Sequence, residues 1–219
     1  MRRSQRACRG KGVVRLYDAW VEGEDTYLLM DFVDGRRISQ LVLEDWKAPA
    51  TRDQFLRVMR AILSELDRLH TLPNPIFHMD ATPDNILVDH ASGRCYFVDY
   101  GVAQCKGVAE WIVRSTHSAI IGKLGFVPPE RMMRDQSDLV GPSTDLYSAG
   151  VIGCMLMLGR YPFTFVSQPY SARDFILPPM PETGSLAPYA QILDRAVAFN
   201  RSDRFPIARA FLEALNYAR

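Results

Sequence analysis

The sequence has few cysteines, no long apolar run and almost no net charge, and each shortage removes a class of protein. Its four cysteines, Cys8, Cys95, Cys105 and Cys154, form no C-x-x-C pair and no framework spacing, which argues against a zinc site or a disulfide scaffold and fits a reducing compartment. The longest apolar stretch, Ala149 to Leu158, is about half of what a bilayer span requires. No stretch near Met1 has the apolar centre of a secretory signal. The expectation is therefore a cytoplasmic protein without a membrane span. With 26 Lys+Arg against 25 Asp+Glu the net charge is +1, so no global field draws the chain to nucleic acid. Internal repeats and low-complexity segments are also lacking.

What remains is the composition of a folded domain. Apolar residues make up 47% of the 219 residues and charged residues 23%, enough for one sizeable core. The first eleven residues, MRRSQRACRGK, carry five cations. They read either as a frayed, exposed start or as a basic arm for targeting or phosphate binding.

Two β-branched and aromatic segments, Val13 to Trp20 and Thr26 to Phe32, flank the turn cluster Glu22-Gly23-Glu24-Asp25 and predict a hairpin. After Asp34-Gly35 the pattern becomes amphipathic. Thr51 and Gln54 form a capping box that opens a long helix with Phe55, Met59, Ile62, Leu66 and Leu69 on one face. The Pro-rich break at 72–75 ends it. A second hairpin follows, Ile86 to Asp89 and Cys95 to Val98, joined by His90-Ala91-Ser92-Gly93. From Gly101 to Pro129 the sequence shows little periodicity, which predicts a long functional loop. Beyond it, Asp145 to Leu158 is apolar nearly all round, as a core helix is, and Tyr189 to Phe199 and Ile207 to Tyr217 are amphipathic. Pro162 to Pro188 reads as a connector with one short helix.

Asp80 and Asn85 precede the second hairpin and Asp99 follows it. A hairpin brings its ends together, so two carboxylates and an amide converge at its mouth. That is a donor set suited to Mg²⁺, which takes one or two carboxylates plus phosphate oxygens. Singly, each residue also has an ordinary use as a turn cap.

The string His78-Met79-Asp80-Ala81-Thr82-Pro83-Asp84-Asn85, followed by Val98-Asp99-Tyr100-Gly101, resembles the protein-kinase catalytic loop H-R-D-x-x-x-x-N and its D-F-G motif. The resemblance continues. Gly122-Lys123-Leu124-Gly125-Phe126-Val127-Pro128-Pro129-Glu130 looks like the family's G-T-x-x-Y-x-A-P-E, and Asp145-Leu146-Tyr147-Ser148-Ala149-Gly150 looks like the opening of the large lobe's central helix. Arg204 sits where a late arginine of the family pairs with the A-P-E glutamate. The sequence is thus identified as similar to eukaryotic-type protein kinase domains of Ser/Thr type, an α+β fold with a mostly helical large lobe.

That resemblance implies a basic arm at 1–11, a small-lobe remnant of two strands and hinge at 12–35, and a large lobe at 36–219. It implies ATP and Mg²⁺ as cofactors and a protein as substrate or binding partner, with no nucleic acid. Asp80 would take the proton of the substrate hydroxyl, while Asn85 and Asp99 would hold the metal. Met30 would stand behind the adenine, Asp31 to Val33 would read its edge, and Leu87 would pack beneath it. Glu130 and Arg204 would form a buried ion pair.

Departures from the family pattern matter as much. The 219 residues contain no G-x-G-x-x-G, and Lys11 precedes a segment resembling the fourth strand, so neither the phosphate cover nor its lysine is recognised. The chain reads as beginning after those parts, with an unpaired strand edge and weak ATP binding on its own. Met79 replaces an arginine that receives the phosphorylated activation loop, so Ser115, Thr116 and Ser118 lack their usual partner. Tyr100 keeps an aromatic plug in place of Phe. Thr82 and Lys123 look exchanged relative to the family's lysine and threonine, so Lys123 becomes a candidate catalytic cation over Asp80. The main expectation is a kinase transferring the ATP γ-phosphoryl group to protein Ser/Thr hydroxyls. The alternative is an inactive kinase-like binding module, and Pro129-Glu130 with the Asp145 helix argues against a small-molecule kinase.

Overall fold

In a computed structural model the described residues are 14–105, 125–132, 140–163, 178–181 and 184–218. The chain opens with β1 (Leu16–Glu22) and β2 (Asp25–Met30), an antiparallel pair turned at Gly23-Glu24. Gly23 takes φ 64°, which a residue without a Cβ adopts freely. The predicted turn cluster is thus tighter than its four residues, because Glu22 and Asp25 already pair with each other. Among the described residues β1 and β2 pair only with each other. Tyr17, Trp20, Val21, Leu28 and Leu29 are exposed on them.

The segment after β2 holds a strand that periodicity did not reveal. β3 (Gly35–Arg37) is only three residues long and pairs antiparallel with β5 (Ile86–Asp89), which pairs in turn with β6 (Cys95–Phe97). The second predicted hairpin is therefore two strands of a three-stranded sheet, with β5 in the middle. Gly35 is required there because a Cβ would sit 2.4 Å from the Val88 carbonyl oxygen. Next come α1 (Ile38–Gln40) and a π-helical turn, Leu41–Trp46. β4 (Ile76–Phe77) and β7 (Gln104–Cys105) form a small separate pair.

The helical body follows the predicted pattern closely. α2 (Arg52–His70) begins with the Thr51/Gln54 capping box, Gln54 N–H donating to Thr51 and Thr51 N–H to the Gln54 side chain. Phe55, Met59, Ile62, Leu66 and Leu69 are all fully buried on it. Each such side chain contributes about 1.5–3 kcal/mol relative to an exposed one. That stripe packs on α4 (Pro142–Leu158) and α6 (Ala208–Tyr217).

α4 starts earlier than its apolar run implied, since Pro142 fits the first helical turn, where no N–H is needed. It stops at Gly159, whose φ of 67° caps the helix and whose missing Cβ leaves room for the Ala48 carbonyl carbon at 2.4 Å. α3 (Pro129–Met132) is a single turn, and α5 (Ala190–Ala196) is shorter than the predicted Tyr189 to Phe199 segment at both ends: Tyr189 belongs to a 3₁₀ turn, Ala187–Tyr189, and the helix is already capped at Val197. No helix among the described residues is long and apolar enough to cross a membrane. Most of the predicted long loop and of the Pro-rich connector, like the basic start, lies outside the described residues.

Candidate active site

The site is built on the loop between β4 and β5, and α4 holds that loop from below. Asp145, fully buried in the first turn of α4, accepts the His78 N–H on Oδ2 (2.9 Å) and the Met79 N–H on Oδ1 (2.8 Å). Its Oδ2 also meets His70 Nε2 at 2.9 Å. One carboxylate thus ties the end of α2 and two consecutive loop amides to the core. Met79 needs such a tie, for its φ of 68° lies in the left-handed region, a strained conformation for a residue with a Cβ.

His78 supports the loop from inside. Its ring packs between Phe97, at 5.2 Å, and Tyr100, at 4.7 Å between centroids. Nε2–H donates to the Val98 carbonyl (3.1 Å) and Nδ1 accepts the Asp80 N–H (3.4 Å), a pattern that only the neutral ring satisfies. Burial pushes its pKa below the usual histidine value, against the pull of Asp145 and other nearby acceptors. Because the folded pKa is lowered, the unfolded chain binds the extra proton first as pH falls. The stability from neutral His78 is complete above about pH 6.5 and is lost below it. Denaturation midpoints measured from pH 7.5 down to pH 5 should therefore fall with pH, with a shallower slope in His78→Phe. An unchanged slope in that variant would show that His78 is not the titrating group.

Asp80 emerges half-buried beside this ring. Its Oδ2 accepts from Asn85 Nδ2 (2.7 Å), and the same amide nitrogen reaches the Asp80 carbonyl (3.1 Å). Oδ1 is buried and has no hydrogen-bond partner among the described residues. Burial raises the Asp80 pKa and Asp99 adds to the rise, while His78, the Asn85 hydrogen bond and Arg131 oppose it. Asp99 is reached through the sheet: Val98 N–H donates to the Asn85 carbonyl at 2.9 Å, extending the β5–β6 register one step beyond Ile86 and Phe97. Asp99 is exposed, with φ 62°, and its Oδ1 accepts the Gly101 N–H (3.2 Å). Asp80, Asn85 and Asp99 thus lie around one hairpin mouth.

The donor chemistry fits Mg²⁺. With the Asn85 nitrogen committed to Asp80, its amide oxygen and the Asp99 carboxylate are the groups that would hold a cation. No three His, Cys, Asp or Glu side chains among the described residues form a metal cluster. A hard cation here would complete its shell with phosphate oxygens and water.

A cleft of about 510 Å³ adjoins the mouth between β2, β3 and β5. Met30, Asp31, Val33 and Leu87, the four predicted nucleotide contacts, all line it, together with Arg37 and Val98. Since the Asp31 N–H is spent on the Arg15 carbonyl (2.9 Å), Asp31 has its own carbonyl to offer a ligand. Arg37 Nη1 donates to the Asp84 carbonyl at 2.8 Å, and Ser39 donates to the Asp84 carboxylate, which joins the cleft floor to the catalytic loop. Lys123, the predicted cation over Asp80, lies outside the described residues, whereas Thr82 is buried in the loop.

The pair expected between Glu130 and Arg204 is present and bidentate, with both contacts at 2.9 Å and both side chains buried. Sequence reasoning missed Arg131, the next residue, whose Nη1 donates to the Met79 carbonyl at 2.6 Å. It also saw Asp145 only as a helix start. A cation one step from Glu130, in a sequence lacking the arginine before Asp80, was the available signal.

The fold is thus an α+β arrangement with a cleft of about 510 Å³ beside a carboxylate–amide–carboxylate mouth. The protein kinase domain model matches residues 3–217, and the chain belongs to that family. It is 28% identical over 213 residues to the serine/threonine-protein kinase PknL of Mycobacterium tuberculosis, covering 94% of this chain and 51% of that protein. To the serine/threonine-protein kinase PrkC of Bacillus subtilis it is 28% identical over 151 residues, 69% of this chain and 22% of PrkC. The chain therefore spans about half or less of the length of these curated relatives. Among solved structures, the PknI kinase domain of Mycobacterium tuberculosis is similar with a TM-score of 0.66 and 21% identity, over 97% of this chain and 75% of that one, which shows the shared fold.

Proposed function

We propose that the chain acts as a Ser/Thr protein kinase domain, with Asp80 as the base that receives the substrate hydroxyl proton. The observation that carries this reading is the asymmetry of the Asp80 carboxylate. Oδ2 is fixed by Asn85 while Oδ1 is buried and left without a partner. An isolated buried acceptor costs free energy unless a ligand completes it, and a hydroxyl is the simplest group that does so. The raised pKa of Asp80 strengthens it as a base relative to an ordinary aspartate.

In this reading Asn85 and Asp99 hold Mg²⁺, which supplies charge neutralisation at the phosphates. Met30, Asp31, Val33 and Leu87 hold the adenine in the cleft. Lys123 is assigned the charge beside the transferred phosphoryl group, with the Thr82 hydroxyl on the opposite side. A cytoplasmic setting, which supplies ATP and keeps Cys95, Cys105 and Cys154 as thiols, suits the reading. The class of substrate in this reading is a protein, as the resemblance of Pro129-Glu130 and the Asp145 helix to the family's peptide-substrate platform implies.

The test is transfer of the labelled γ-phosphoryl group of ATP to a general Ser/Thr protein substrate, with the product identified as phosphoserine or phosphothreonine. Transfer that requires Mg²⁺ is the expected result, and its absence at high MgATP would overturn the reading. The KM for ATP of the 219-residue chain should lie at about 1 mM or above, because no glycine-rich segment is available to clamp the triphosphate. A micromolar KM would show that the clamp is supplied by other residues of the chain.

A further inference from the structure

We propose that Arg131 is a positioning residue for the catalytic loop, holding the Met79–Asp80 peptide by its carbonyl from the substrate platform. The inference rests on the reading of Asp80 as the base. Its geometry is independent of that reading.

Both polar groups of Met79 are held by charged side chains from different elements. Asp145 on α4 accepts the Met79 N–H at 2.8 Å, and Arg131 on α3 donates to the Met79 carbonyl at 2.6 Å. Each partner has the sign that suits the group it binds, an anion for the N–H and a cation for the carbonyl, and charge-assisted bonds of this kind are short and strong. The carbonyl held by Arg131 belongs to the peptide unit that also carries the Asp80 N–H, itself donated to His78 Nδ1 at 3.4 Å. That peptide sets the direction in which the Asp80 side chain leaves the backbone. With Met79 at φ 68° the loop is strained, so without Arg131 the Met79–Asp80 peptide is held only by the long 3.4 Å bond from the Asp80 N–H to His78.

Met79 has an apolar side chain, 4% exposed, where the family resemblance calls for arginine. It brings no charge of its own to the loop. Arg131 brings a half-buried guanidinium to the Met79 backbone from α3. Burial lowers its pKa, and the anions Asp80, Asp145 and Glu130 oppose that shift. Its own position is fixed by its neighbour, because Glu130 is locked to Arg204 by two 2.9 Å bonds. The substrate platform and the base are thereby joined through one side chain, so order in α3 is passed to the Met79–Asp80 peptide.

The experiment compares the parent chain with Arg131→Met and Arg131→Lys, using amide hydrogen exchange without nucleotide and steady-state phosphotransfer at high MgATP. Arg131→Met should speed exchange over residues 78–81 by about tenfold, the loss expected for one hydrogen bond to a charged group. Exchange in α4 should stay at the parental rate, and kcat should fall with the KM for ATP unchanged. Arg131→Lys, which keeps a charged donor, should recover part of both. Parental exchange over 78–81 in Arg131→Met, or an equal rise throughout α4, would overturn the proposal, the latter by revealing a purely structural role. If Arg131→Met does not fold, Arg131→Gln carries the same comparison with the same two outcomes. A parent chain without phosphotransfer would sink the reading of Asp80, and this inference with it. Intact phosphotransfer with parental loop exchange in the variant would sink Arg131 alone.

Discussion

Asp80→Asn is expected to lower the phosphotransfer rate by about 10²–10⁴, the range contributed by a positioned general base, while leaving the fold intact. The amide keeps the geometry. Its oxygen can still accept from Asn85 Nδ2 at the place of Oδ2, and its nitrogen takes the place of Oδ1, which has no partner among the described residues. The variant loses a carboxylate that burial and Asp99 already disfavour. Its melting temperature should therefore equal or exceed that of the parent, the usual trade of function for stability at a strained site. Rate and melting should thus move independently. A rate within a few-fold of the parent would remove Asp80 from the chemistry, and a collapse in melting would show that its main role is structural.

The residues read from the sequence were those that act through fixed spacing. The loop from His78 to Asn85 and the strands that follow it are local, so the hairpin that joins Asp80, Asn85 and Asp99 was legible in a single stretch of sequence. The buried face of α2 was legible for a similar reason, since a 3.6-residue period leaves a mark that needs no partner. β3 was not. Three residues containing Gly35 and two arginines carry no strand pattern, and only the pairing with Leu87, Val88 and Asp89 makes them a strand. The same holds for β4 and β7, each two residues long. At the site, Asp145 and Arg131 reach the loop across 66 and 52 positions of chain. Their bonds go to backbone groups, which every residue has, so no side chain at the receiving end betrays them. Glu130 and Arg204 are as far apart, 74 positions, but both ends are side chains of opposite charge in recognisable contexts. That is why the pair could be anticipated and the Arg131 bond could not.

Glu130→Ala should lower stability by about 3–5 kcal/mol, the usual cost of stripping one partner from a buried ion pair. Arg204 is the reason for so large a figure. Its guanidinium is fully buried; Nε donates to the Ala198 carbonyl (2.7 Å) and Nη2 to the Phe199 carbonyl (3.0 Å), while both terminal nitrogens reach Glu130. The Tyr147 ring lies 4.7 Å from its central carbon. Without Glu130 the cation keeps two carbonyls and one aromatic face and has lost its only counter-charge among those contacts. For a domain of this size the loss corresponds to a fall in melting temperature of roughly 6–20 °C. Glu130→Gln should cost less than Glu130→Ala, since it keeps one acceptor and the volume. A double change of Glu130 and Arg204 to methionine should cost less than either single truncation, because no buried charge is then left unpaired. The single variant should also lose phosphotransfer activity beyond its loss of folded protein, as α3 then no longer holds Arg131 against the Met79 carbonyl. A Glu130→Ala protein that melts within a degree or two of the parent would show that the pair, although buried, contributes nothing net to the fold.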